Sequence, residues 1–140
     1  MITHRIPASL LTIPFIVLSA TAEDPVNFEK AIFPILEAKC LKCHATEHKD
    51  EAGKVKKPKG GLVMDTAEGL TKGGKNTKGK VIVAGKPDES DIYRVVNLPA
   101  SDDESMPPEG KADPLTDEEK ALLKRWLTEG AKFGDWKGKK

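Results

Sequence analysis

Apolar residues recur at helical spacing in three places along the chain. Phe28, Ile32, Ile35 and Leu36 share one face of a first segment, Ile92, Val95 and Val96 a second, and Leu122, Leu123, Trp126 and Leu127 a third. Asn27 is placed to cap the first segment, which runs straight into Cys40; Pro34 inside it predicts a kink or a late helix start near Phe33. Helix-start acids at Asp88, Glu89 and Asp91 precede the second. Thr116 and Glu119 form a capping box ahead of the third, and Gly130 is placed to end it. Between the first two, residues 45–80 show little periodicity, and only GGLVMD, residues 60–65, suits a short strand or buried turn. Phe28, Phe33, Ile35, Leu36, Leu98, Leu122, Leu123, Trp126 and Leu127 are the core candidates. The pattern predicts an all-α fold of about three main helices with long connecting loops.

A fourth apolar stretch differs from these. Ile6 to Ala20 is a continuous run behind His4 and Arg5, followed by Ala20-Thr21-Ala22. That is the layout of a secretory signal peptide cut before Glu23. The expected organisation is a signal at 1–22, one domain at 23–133 and a lysine-rich tail at 134–140, expected to fray unless Trp136 packs back onto the domain. The expected location is periplasmic or secreted, with membrane attachment only if the signal stays uncleaved as an anchor.

Charge is balanced overall, with 23 basic and 22 acidic residues, and uneven locally. Residues 49–86 hold ten lysines against four acids, whereas 88–119 hold eleven acids against two bases. Such blocks suit solvated loops or docking to a charged partner. Nucleic acid is disfavoured, because no aromatics interleave the lysines and the leader directs export. Few large side chains remain after the signal, so the core is thin unless a bulky apolar group completes it.

The chain's two cysteines stand in AKCLKCHATEH, residues 38–48. A disulfide between Cys40 and Cys43 closes too small a loop to stabilise a domain much. A thioredoxin-like pair lacks its βαβ context, and zinc lacks a distant ligand pair to complete a site with Cys40, Cys43, His44 and His48. Covalent haem accounts for all three motif residues: two thiols on one helical turn reach the two vinyl groups, and His44 follows as an axial ligand. For the second axial position the chain offers His48, Met64 and Met106, or none. His48 would share His44's side of the ring in a continuing helix, and Met64 sits among apolar residues. Met106, in SDDESMPPEGK and backed by Pro107 and Pro108, is the favoured ligand.

From FEKAIFPILEAKCLKCHA, through GGLVMDTAEGLTKGG and VAGKPDESDIYRVV, to MPPEG and LTDEEKALLKRWLTEGAKF, the chain resembles the planctomycete-type cytochrome c domain over residues 28–133. The resemblance implies a class I-like cytochrome c fold wrapped around one covalent haem c, attached at Cys40 and Cys43 and ligated by His44 and Met106. It implies no enzyme but a carrier of single electrons between redox protein partners. A haem sensor or small-ligand binder with a labile sixth ligand is the alternative. Peroxidase chemistry is disfavoured, since the mature chain has no histidine beyond His44 and His48 to serve a distal acid–base pair.

Overall fold

The structure is a computed structural model that describes residues 23–139. The expected signal peptide lies outside the described residues.

Asn27 caps the first helical segment, its side chain accepting the Lys30 amide at 2.9 Å. The segment opens as a π-turn, Phe28–Ile32, and becomes helix α1, Phe33–Lys39, with Pro34 in its first turn. Proline lacks an amide and crowds the carbonyl four residues back. A wider turn, closed by the Phe33 amide on the Phe28 carbonyl, accommodates it and gives the late α start expected near Phe33. Helix α2, Leu41–His44, continues after a break at Cys40.

A two-stranded antiparallel hairpin follows, β1 (His48–Lys49) and β2 (Val55–Lys56), with His48 opposite Lys56. Asp50 organises its turn by accepting the amides of Ala52 and Lys54. Helix α3, Ala67–Lys72, is capped by Thr66 on the Gly69 amide at 3.0 Å. Helix α4, Asp91–Val96, follows a 3-10 turn at Pro87–Glu89. Helix α5, Asp117–Thr128, starts with the full Thr116–Glu119 capping box.

The expectation of an all-α fold with about three main helices is therefore corrected. The architecture is mixed: two long helical segments (28–44 and 117–128), two short helices and a small sheet. The second periodic segment yields only six residues of α-helix, because Pro87 closes it off before its start and Pro99 soon after its end.

The two long segments meet through aromatic rings. Phe28 lies 5.0 Å from Trp126, 4.8 Å from Phe133 and 4.6 Å from Trp136 between ring centroids. Leu123, Trp126 and Leu127 are buried as expected, whereas Leu98 and Leu122 are only partly covered. Residues 134–139 are docked rather than frayed. Trp136 is 5 % exposed, the Lys139 amide donates to the Asp65 carbonyl at 2.8 Å, and Lys139 Nζ meets Glu37 at 2.6 Å. Burial of one large ring accounts for the ordering of this otherwise polar tail.

The charge blocks partly neutralise each other, since Lys78 of the basic block pairs with Glu104 of the acidic one at 2.6 Å. Among the described residues no helix is long and apolar enough to cross a membrane.

Candidate functional site

The end of the first helical segment supplies three chemically capable side chains within five residues. Cys40 sits at the break between α1 and α2, and Cys43 and His44 complete the next turn, their amides donating to the Cys40 carbonyl at 3.1 and 3.0 Å. Both cysteines are free thiols. Burial, aided by the neighbouring Cys43, pushes the Cys40 thiol up to about 12, so it stays protonated at neutral pH.

After His44 the chain is fastened to what lies beyond the hairpin. The Thr46 hydroxyl donates to Asp65 at 2.8 Å, and the Met64 amide donates to the His44 carbonyl at 2.7 Å. Two close approaches hold this layer together. A Cβ on Gly74 would stand 2.8 Å from the Gly60 carbonyl oxygen, and one on Gly69 would stand 2.5 Å from that of Val63. Glycine is the residue that permits backbones this close.

These elements enclose a cavity of about 480 Å³. Cys40, Cys43, His44 and Met106 all line it, although Met106 is more than sixty residues from the others in sequence. Its wall is apolar, formed by Leu62, Met64, Val81, Ile92, Val95 and Val96. Lys59, Asn76, Thr77 and Arg94 add polar groups. Both methionines reach the cavity, by different routes. Met64 is 4 % exposed and tied to the His44 backbone; Met106 is half-buried in the loop between α4 and α5, its amide donating to the Val95 carbonyl at 3.0 Å. His48 does not line the cavity: it lies exposed on β1, with Nδ1 2.9 Å from the Thr46 carbonyl.

His44 Nδ1 is a buried polar atom without a well-formed hydrogen bond. Burial lowers the basicity of the ring; the nearby Leu62 and Lys59 carbonyls oppose this, and the Lys59 charge adds to it. The neutral imidazole that results is the form that ligates metals.

Residues 40–110 match the family model described as Planctomycete cytochrome C. The chain belongs to the planctomycete cytochrome c family. Comparison with curated proteins and with solved structures gives no match. The match opens on the first cysteine and closes four residues past Met106, so it spans the four expected site residues; α5 and all the rings of the aromatic cluster lie outside it.

A cytochrome c domain implies haem binding and electron transfer. The residues present fit a haem: a pair of thiols, a neutral imidazole and an apolar wall around a cavity of the size cofactors take. They do not fit the zinc alternative. Among the described residues no group of three or more His, Cys, Asp and Glu side chains gathers to hold an ion. Sequence reasoning missed the cavity-lining Val81, Asn76, Thr77 and Arg94. The first belongs to a short apolar run without helical period, and the rest are polar residues whose role depends on tertiary placement. The glycines at 60, 69 and 74 were the available signal that this lysine-rich stretch folds back on itself.

Proposed function

We propose that the protein is an exported single-haem electron carrier, with haem c joined covalently to Cys40 and Cys43 and ligated axially by His44 and Met106. One observation carries the reading: two cysteines, a histidine and a remote methionine line the same largely apolar cavity. Bound haem supplies an iron that exchanges one electron at a time between the ferrous and ferric states.

The protein's own residues do the rest. Cys40 and Cys43 anchor the group so that it is not lost outside the cell. The neutral His44 imidazole would hold the iron through nitrogen, and the Met106 thioether would hold it through sulfur and favour the ferrous state. Met106 is preferred over Met64 because Met64 is fastened to the His44 backbone, whereas Met106 comes from a remote loop whose backbone is tied to α4 through the Val95 carbonyl. Ile92, Val95 and Val96 exclude water, so little solvent reorganises when the charge changes. The partners are redox proteins, and export rests on the leader at residues 1–22.

Two measurements test this. Intact mass should show one haem that acid–acetone does not extract. Met106→Ala should abolish the methionine-to-iron charge-transfer band of the ferric protein and admit carbon monoxide to the ferrous form, while Met64→Leu leaves both unchanged. The reverse pattern would assign the ligand to Met64, and prompt carbon monoxide binding by the unaltered protein would favour the ligand-sensing alternative.

A further inference from the structure

Residues 98–112, which carry Met106, contain no helix or strand. Packing fixes them only in part, with Ser105 and Pro107 buried on either side of the half-buried Met106. One side of the loop faces the cavity described above; behind it Val96, Leu98, Ser105, Met106 and Pro107 line a second cavity of about 540 Å³. Met106 thus borders both cavities.

Among the described residues, hydrogen bonds and ion pairs tie this loop to the rest of the molecule at two points. The first is the Met106 amide on the Val95 carbonyl. The second is the Glu104 carboxylate, which accepts Lys78 Nζ and Arg94 Nη1, both at 2.8 Å through Oε2. Arg94 is itself fixed by Asp91, with Nε and Nη2 both 2.7 Å from Oδ1, and the other Asp91 oxygen accepts the Lys78 amide at 3.1 Å. Lys78, Glu104, Arg94 and Asp91 thus close a circuit across three separate segments: the turn after α3, α4, and the methionine loop. Arg94 and Glu104 also line the first cavity. Isolated surface pairs contribute little; closed networks with a forked guanidinium hold geometry better.

From this arrangement we infer that Glu104 is a positioning residue, holding the 102–106 segment against α4 so that Met106 faces the haem cavity rather than the one behind it. The inference rests on Met106 being the iron ligand. Asp102 and Asp103 directly precede Glu104 in the chain, so the clamp also gathers a run of like charge beside the cationic pair Arg94 and Lys78.

The test uses the haem-loaded protein and imidazole, a ligand whose neutral form approaches the iron without electrostatic steering. Glu104→Gln should weaken the methionine-to-iron band and speed imidazole binding by about tenfold, the scale set by losing hydrogen bonds to a charged group. Glu109→Gln, which alters an acid of the same loop outside the clamp, should leave both at wild-type values. Lys78→Met should reproduce Glu104→Gln from outside the loop, and adding it to Glu104→Gln should change little more. Raising ionic strength from about 0.01 M to about 1 M should accelerate imidazole binding in the unaltered protein and not in Glu104→Gln. If Met106→Ala keeps the band, the ligand assignment fails. If Met106→Ala loses it while Glu104→Gln behaves like Glu109→Gln, the clamp is overturned and the ligand assignment stands. Should Glu104→Gln not take up haem, Lys78→Met and the salt response of the unaltered protein decide the question, and wild-type rates with no salt response overturn it.

Discussion

Replacing Trp136 with alanine should cost the haem-loaded protein much of its stability, although the residue lies four positions from the end of the chain. Its ring is 5 % exposed and stands 4.6 Å from Phe28, 5.0 Å from Phe33 and 6.0 Å from Phe133. A buried aromatic side chain removes roughly 150–250 Å² from water, which at about 25 cal/mol per Å² gives roughly 4–6 kcal/mol as an upper bound. Measured truncations of buried Phe and Trp fall at about 3–5 kcal/mol, so we expect about 4 kcal/mol. Against a domain stability of roughly 5–15 kcal/mol that is a large fraction. With a urea slope near 2 kcal/mol/M, the unfolding midpoint should fall by about 2 M. Urea titration of the haem-loaded protein, followed by haem absorbance, reads this directly. Glu37→Gln is the control, since it breaks the half-exposed pair with Lys139 and should cost no more than about 1 kcal/mol. If Trp136→Ala loses as little as that control, the tail adds nothing to the core and the described packing does not contribute to stability.

Other expectations follow from single contacts. Gly69→Ala should destabilise by about 1–3 kcal/mol despite alanine's better helix propensity, because the added carbon meets the Val63 carbonyl at 2.5 Å; a gain in melting temperature would refute this. Glu129 accepts the Val26 amide at 2.6 Å and pairs with Arg125, and these contacts, the amide first, hold its carboxyl below the ordinary value of 4.5. A depressed folded value means that the stabilisation is complete above about pH 4.5 and fades as pH falls through the lower folded value. Glu129→Gln should therefore melt earlier than wild type at pH 7, and the two should converge in acid; parallel curves would remove the clasp from the account. Replacing Cys40 and Cys43 together by alanine should leave residues 45–80 poorly ordered, since this stretch holds few buried apolar side chains, chiefly Met64 and Leu70, and a sharp cooperative melt of that variant without haem would count against it.

Where a feature is local, the sequence displays it. The Asn27 cap, the Thr116–Glu119 box, the α start at Phe33 and the Cys40–Cys43–His44 turn each depend on residues within one or two turns of one another. Features decided by distant partners were not legible. Helix α3 has one fully buried apolar side chain, Leu70, so it shows no periodicity, and its Thr66 cap is a single-residue signal. The hairpin has both strands exposed and so lacks the alternation that marks a half-buried strand. Trp136 sits in a lysine- and glycine-rich tail, and only the position of Phe28 in space shows that it is covered. At the site, the motif announces its cysteines and histidine, whereas Arg94, Asn76 and Thr77 acquire a place at the cavity through tertiary contacts alone.

The clasp between the two ends of the domain also constrains the order of assembly. Val26 bonds Glu129, Arg125 Nη2 donates to the Asp24 carbonyl, and Glu37 pairs with Lys139, each joining residues at least 101 positions apart. Contacts of such span are the slowest to form, because nearly the whole chain must be gathered before any of them is made. Closure of the aromatic cluster thus waits for Trp126, Phe133 and Trp136 to reach Phe28. Until then nothing from the C-terminal segment covers Phe28 or Phe33, and the Cys40–His44 turn that follows them belongs to an open chain. The Cys40–His44 turn, held by contacts within five residues, can therefore form early, whereas the aromatic cluster beside it closes only once residues 126–136 have been gathered.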